Sequence, residues 1–337
     1  MDKHNIAILV ARPLAESIFD RRDLDVLAGF ADYNAVGSLP ETITPDFMRE
    51  TLKGARGCVT CWGTPSFADE MMAGNPQLKL IAHAAGSVRA LIPLSAWVAG
   101  LRVTSNAPVI AEDVAQTTLA LMLTSLKQFW QFDDITKSGG WSGGEAGRFT
   151  TKRLDGLVVG LVGGSLVGKA VLKLLRPFGC EIILHDPYIC EIEARELGVR
   201  LVSLEELLTV SDVISLHAPG NPDCRHMLNA RNIPLIKDGA LLINTARGIL
   251  IDEPALIREL ATGRFNACID VTDPEPPASD HPFRSMKNVV LTPHIAGGHT
   301  VNGRTMLGRN VIRELYNYLT KGVLAYEVRP EMLERMA

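Results

Sequence analysis

The chain has 337 residues, enough for two domains of ordinary size, and its balance of 47% hydrophobic to 21% charged residues is that of a globular protein with ample core. A net charge of −4 gives no reason to expect a nucleic acid or an anionic membrane as partner. The N-terminal M-D-K-H-N-I-A-I-L-V has too short an apolar run for a signal peptide, and the six cysteines are scattered, so a reduced, cytoplasmic setting is expected.

The first hundred residues alternate strand and helix signals. Strands are predicted at Ile6 to Val10, Tyr33 to Val36, Gly57 to Trp62, Leu78 to Ala84 and Leu101 to Thr104, with helical stretches within Leu14 to Phe30, at Pro45 to Leu52 and at Ser66 to Met72. This is a doubly wound α/β pattern. The turn after its first strand is Ala11-Arg12-Pro13, without the glycines that cradle phosphates, so this unit is not expected to bind a dinucleotide. Cys58 and Cys61 form a C-x-x-C on a buried strand, with no second Cys or His pair at metal spacing, and no metal is expected.

Asn106-Ala107-Pro108 opens a long helix, predicted to run to about Phe132, with proline in its first turn. Its middle is apolar on most faces and needs cover from another domain or another subunit. The most apolar part, Thr117 to Leu126, is too short and too mixed to span a bilayer. The Gly-rich stretch Lys137 to Thr150 reads as an ordered connecting loop.

A distinct unit follows from Leu157 to Asp186. The β-branched run Leu157 to Val162 suits a buried parallel strand. Gly163, Gly164, Ser165 and Gly168 form a glycine-dense turn, and Val167, Ala170, Val171, Leu174 and Leu175 fall on one helix face, stopped by Pro177 and Gly179. Glu181 to His185 is a second strand with Asp186 at its end. Strand, glycine turn, helix, strand and terminal acid make a dinucleotide-binding unit: the helix N-terminus offers N–H groups to a pyrophosphate, and Asp186 is placed for a ribose. Ser165 stands where the pattern G-x-G-x-x-G has its second glycine.

Beyond Asp186, a capping box at Ser203 to Glu206 starts a helix, and Asp252 caps another that runs to Ala261. Strands at Val213 to Leu216, Ala240 to Asn244, Asn266 to Val271 and Asn288 to Leu291 are followed by His217-Ala218-Pro219, Thr245-Ala246-Arg247, T-D-P-E-P-P and T-P-H-I-A-G-G. A final helix runs from about Gly303 to Leu319. Ligands of an open parallel sheet bind beyond the carboxyl ends of its strands. Three successive strands end with Arg247, then Asp270 and Glu275, then His294. An arginine fork holds a carboxylate, a histidine exchanges a proton near neutral pH, and a carboxylate beside it stabilises the imidazolium. With a nicotinamide at the same edge, this set points to hydride transfer at a carbon bearing oxygen.

The stretches S-D-V-I-S-L-H-A-P (211 to 219), L-L-I-N-T-A-R-G-I-L-I-D-E-P-A-L (241 to 256), D-V-T-D-P-E-P (270 to 276) and L-T-P-H-I-A-G-G (291 to 298) make the chain resemble the D-isomer-specific 2-hydroxyacid dehydrogenases. The resemblance implies two doubly wound parallel-sheet α/β domains. A Rossmann-type NAD-binding domain (108–301) would be inserted into a flavodoxin-like substrate domain (1–107, completed by 302–337), in a homodimer built on the long helix. It implies interconversion of a 2-oxo acid and a D-2-hydroxy acid, with Arg247 binding the carboxylate, His294 as acid/base and Glu275 as its partner. Gly163, Ser165, Leu166, Val167, Gly168 and Asp186 would hold NAD, with Pro219 and Ala246 lining its groove and Asp270 at the nicotinamide. Ala85, Gly86 and Ser87 would help hold the substrate, in a loop only loosely like that of the family, with Arg89 near the place of an acid and Gln116 in place of a common Glu. The alternative is a non-catalytic NAD(H)-sensing regulator, since corepressors resembling this family can keep the same residues.

Overall fold

Among the described residues, five strands pair in one sheet and seven in another, and neighbouring strands run parallel throughout both. The structure, a computed structural model, describes residues 3–141 and 151–336. The chain divides into two compact units, Met1–Ile110 with Gly298–Met336, and Ala111–Gly297.

In the first unit the strands are β1 (His4–Leu9), β2 (Ala31–Tyr33), β3 (Gly57–Thr60), β4 (Leu80–His83) and β5 (Arg102–Ser105), in the order β2-β1-β3-β4-β5. That is the flavodoxin-like order. Successive side chains alternate between faces, so Ile6 and Ile8 pack into one core while Ala7 and Leu9 pack into the other. Both faces are covered, which is why these strands read as unbroken apolar runs. The C-terminal helix Val301–Lys321 belongs to this unit. Asn310 Nδ2 donates to buried Asn106 Oδ1 at 2.7 Å, and Asn106 Nδ2 donates to the Leu307 carbonyl at 2.9 Å, so a satisfied amide pair ties the helix to the end of β5.

The second unit holds β6 (Val158–Val162), β7 (Glu181–His185), β8 (Arg200–Leu201), β9 (Val213–Leu216), β10 (Leu241–Asn244), β11 (Asn266–Ile269) and β12 (Val289–Leu291). Their order, β12-β11-β10-β9-β6-β7-β8, is the doubly wound Rossmann arrangement with one strand added. The order reverses between β6 and β9, and the crevice at their carboxyl ends is where such sheets bind ligands.

Several elements differ from their sequence expectation. The short second strand lies at Ala31–Tyr33, starting two residues before the predicted Tyr33 to Val36. The long helix is two: Ala107–Leu126 and Phe129–Lys137, broken where Gln128 takes φ +55. The first of these has 20 residues and is long and apolar enough to cross a membrane, which corrects the shorter apolar run read from the sequence. Seven of its residues are buried in the unit. The helices Leu94–Val98 and Glu191–Leu197 and the two-residue strand β8 carry patterns too short to be read from periodicity. The loop expected at Lys137 to Thr150 lies largely outside the described residues. Cys58 belongs to one core of its unit and Cys61 to the other, so the C-x-x-C does not converge.

Candidate active site

The glycine turn sits at the reversal of strand order. Gly163, at the end of β6, has φ +101, and a Cβ there would meet the Ala218 nitrogen at 2.7 Å and the His217 carbonyl carbon at 2.8 Å. Only glycine gives both this conformation and this approach to β9. A Cβ on Gly168 would lie 2.1 Å from the Gly163 carbonyl oxygen, so the helix packs directly on the loop that precedes it. Ser165 takes the N-cap position of helix Leu166–Leu175, and its hydroxyl accepts from the Gly168 amide at 3.3 Å. The residue that breaks the glycine pattern thus satisfies one orphan donor of the helix. The amides of Leu166 and Val167 have no acceptor among the described residues, and the Leu166 side chain is 53% exposed. Such an N-terminus suits a pyrophosphate. Asp186, after β7, accepts from the Gly164 amide at 2.7 Å and from the Tyr188 amide at 2.8 Å. It therefore ties the second strand end to the glycine turn and keeps further acceptor capacity for ribose hydroxyls. This cradle fits a dinucleotide.

β10, β11 and β12 are neighbours, so the residues that follow them emerge side by side. After β10, buried Asn244 accepts from the Ala246 amide at 3.0 Å and donates to the Arg247 carbonyl at 2.9 Å, which fixes the turn that presents Arg247. The Arg247 stem runs so close to Gly220 that a Cβ there would meet its Cγ at 2.5 Å. Arg247 Nη1 donates to the Ala246 carbonyl at 2.6 Å. Desolvation lowers the Arg247 pKa below the usual guanidinium value, and the negative charge of Glu275 opposes that shift.

Asp270, 1% exposed, accepts from Thr292 Oγ1 at 2.6 Å, the Ile295 amide at 2.9 Å and the Ala296 amide at 3.0 Å. Its own carbonyl accepts from the His294 amide at 2.8 Å. Asp270, expected from sequence at the nicotinamide, also anchors the turn that carries His294. That turn holds His294 at φ +53, a left-handed conformation uncommon for a side-chain-bearing residue and sustained by these bonds. The His294 ring is directed at Glu275, with Nδ1 2.9 Å and 3.0 Å from the two carboxylate oxygens. The pair is open, its side chains 46% and 40% exposed. With Nδ1 engaged, Nε2 is the nitrogen left for exchange with a ligand.

Glu253 was not singled out from sequence, where an acid in the first helical turn reads only as a partner of the helix dipole. In the structure its Oε1 accepts from the Asp273 amide at 2.8 Å and its Oε2 lies 3.1 Å from His281 Nε2, so it braces the loop that carries Glu275. Burial raises the Glu253 pKa, and the Asp273 amide and His281 oppose the shift.

The remaining expected residues lie in the other unit, after β4. Ala85 is buried, Gly86 partly so and Ser87 exposed. The Ala84 carbonyl accepts from Cys61 Sγ at 3.4 Å, the Ala85 carbonyl from the Asn106 amide at 3.0 Å, and the Gly86 carbonyl from Ser105 Oγ. The amides of Gly86 and Ser87 have no acceptor among the described residues. Arg89 is exposed.

Residues 119–296 match the family model for the D-isomer specific 2-hydroxyacid dehydrogenase, NAD binding domain. A D-3-phosphoglycerate dehydrogenase of Methanocaldococcus jannaschii is 33% identical over 288 residues, 85% of this chain, but the chain spans only 54% of that relative's length. A hydroxypyruvate reductase of Thermotoga maritima is 34% identical over 255 residues, 75% of this chain and 81% of the relative. The solved structure of a D-2-hydroxyisocaproate dehydrogenase, 26% identical, superposes with a TM-score of 0.79 over 96% of this chain and 99% of that one. The cofactor is NAD, and the chain belongs to the D-isomer-specific 2-hydroxyacid dehydrogenase family.

Proposed function

We propose that the protein is an NAD-dependent dehydrogenase that interconverts a 2-oxo acid and the corresponding D-2-hydroxy acid. The observation that carries this reading is the His294–Glu275 pair beside Arg247 at the ends of three adjacent strands, on the sheet edge that bears the glycine turn. When bound, NAD supplies or accepts the hydride. Gly163, Ser165, Leu166, Val167, Gly168 and Asp186 hold the dinucleotide, and Pro219 and Ala246 line its groove. Arg247 takes the substrate carboxylate in its fork and orients the carbonyl, so that the reacting carbon is held in one geometry. His294 Nε2 gives a proton to the carbonyl oxygen on reduction and takes it from the hydroxyl on oxidation. Glu275, bonded to Nδ1, fixes the ring's orientation and leaves Nε2 toward the substrate. The amides of Gly86 and Ser87 are donors of the kind a carboxylate takes.

The test is a panel of 2-oxo acids with NADH, followed by loss of reduced nicotinamide. Reduction needs His294 protonated and oxidation needs it neutral, so the two directions should show opposite pH dependence. Glu275→Gln should lower turnover in both directions, because the ring loses the carboxylate that orients it. His294→Ala should lower turnover by roughly two to four orders of magnitude. Near-normal turnover in that variant would remove His294 from the chemistry, and a wild type that binds NADH but reduces nothing in the panel would point to an NAD(H)-sensing regulator.

A further inference from the structure

Two adjacent threonines of the helix Ala107–Leu126, Thr117 and Thr118, bond to two different turns of the second unit. Thr118 is fully buried. A buried hydroxyl needs partners, and this one has two. Its Oγ1 donates to the Val114 carbonyl at 2.9 Å, four residues back in the helix, and lies 2.9 Å from Thr245 Oγ1. A hydroxyl carries a single proton, so both bonds form only when Thr245 donates and Thr118 accepts. Thr245, 6% exposed, stands in the turn after β10, two residues before Arg247. The bonds that Asn244 makes to the Ala246 amide and the Arg247 carbonyl are internal to that turn. The Thr245 hydroxyl ties the turn to the helix.

Thr117, partly buried, donates from Oγ1 to the Ala296 carbonyl at 2.9 Å. Ala296 lies two residues after His294, in the turn whose amides at Ile295 and Ala296 donate to Asp270. Asp270 therefore holds the N–H side of this turn and Thr117 holds its carbonyl side. Neighbouring residues of a helix point about 100° apart, so one turn of helix reaches both places.

We infer that Thr117 and Thr118 are positioning residues: this one stretch of helix sets the Arg247 turn and the His294 turn against each other, so that the guanidinium fork and the proton-exchanging ring address the same substrate. This rests on the reading that Arg247 takes the carboxylate and His294 exchanges the proton.

The experiment uses the full chain and an accepted 2-oxo acid, and each threonine should have its own signature. Thr118→Val should raise KM about fivefold and leave kcat near wild type, because the carboxylate fork is loosened. Thr117→Val should lower kcat about fivefold and leave KM near wild type, because the acid/base is displaced. NADH affinity should hold in both, and Thr117→Ser and Thr118→Ser should restore the constants. Thr118→Val combined with Thr245→Val should raise KM no further than Thr118→Val alone, since both remove the same bond. Wild-type constants in both valine variants, or one common loss of kcat, substrate affinity and NADH affinity, would overturn the inference. Where a valine variant does not fold, alanine at the same position replaces it and is judged on the same constants. A readout independent of turnover is the histidine ring resonance of His294 and the Nε–H resonance of Arg247. Thr117→Val should shift the first alone and Thr118→Val the second alone. Neither shifting, or both shifting in each variant, would overturn the inference. If the wild type reduces no 2-oxo acid, the proposed reaction fails on its own, and these two resonances still decide whether the threonines hold the two turns.

Discussion

His217 follows β9 beneath the glycine turn, 4% exposed, and neither ring nitrogen has a hydrogen-bond partner among the described residues. Burial lowers its pKa to about 3, from the ordinary histidine value near 6.5. The folded state therefore keeps His217 neutral where the unfolded chain protonates it. Stability from this group is complete above about pH 6.5 and is lost as pH falls from there toward 3, with a slope of about 1.4 kcal/mol per pH unit. His217→Leu loses no hydrogen bond and removes this slope. Between pH 6.5 and 4.5 the variant should gain on wild type by about 2 to 3 kcal/mol in denaturant unfolding. A stability difference that does not change with pH would mean that the ring is reached by solvent or holds a partner. Arg247, Asp270 and His294 differ in kind from His217, because each has at least one polar atom bonded to a neighbour.

The glycine turn and its flanking strands are the elements that select the cofactor. Asp186 spends one oxygen on the Gly164 amide and one on the Tyr188 amide, so its charge is fixed at the end of β7, and no ion pair to it is found among the described residues. A 2′-phosphate placed there would meet a carboxylate without a compensating cation. NADH should therefore bind more tightly than NADPH, by about tenfold or more, in fluorescence titrations. Asp186→Ala should narrow the gap while weakening NADH as well, because the Gly164 tether goes with it. Equal or tighter NADPH binding by wild type would remove this role from Asp186. The strand, turn and acid were legible because each follows from a local rule: β-branched runs, glycine at a close approach and an N-cap. The Ser165 cap was not, since the sequence shows only a missing glycine, and the hydroxyl's use appears once the helix starts at Leu166. Nor could sequence show Thr60 facing His83 or Glu253 reaching Asp273, which are separated by 23 and 20 positions and joined only by strand register and loop path. The break at Gln128 was hidden for another reason: the polar Lys127-Gln128 pair is also compatible with a continuous helix, and one left-handed residue redirects the chain.

At the scale of the whole molecule, the helix Ala107–Leu126 carries the next prediction. It buries seven of its twenty residues and leads into Phe129 and Trp130, which are 57% and 43% exposed. Adjacent exposed aromatics after an apolar helix are the surface that interfaces use, and a stable interface removes about 800 Å² from water on each partner. We expect this helix and the one that follows to pair with their copies in a homodimer. Sedimentation velocity at micromolar concentration should give a single species near twice the chain mass of 36.6 kDa. Placing a charge at the centre, as in Trp130→Glu, should shift the population toward monomer, because a carboxylate buried without a partner opposes association. His294 and Arg247 lie outside these helices, so the variant's turnover per chain separates assembly from chemistry. A wild type that sediments as a monomer would overturn the homodimer. A dimer indifferent to Trp130→Glu would move the interface to another surface.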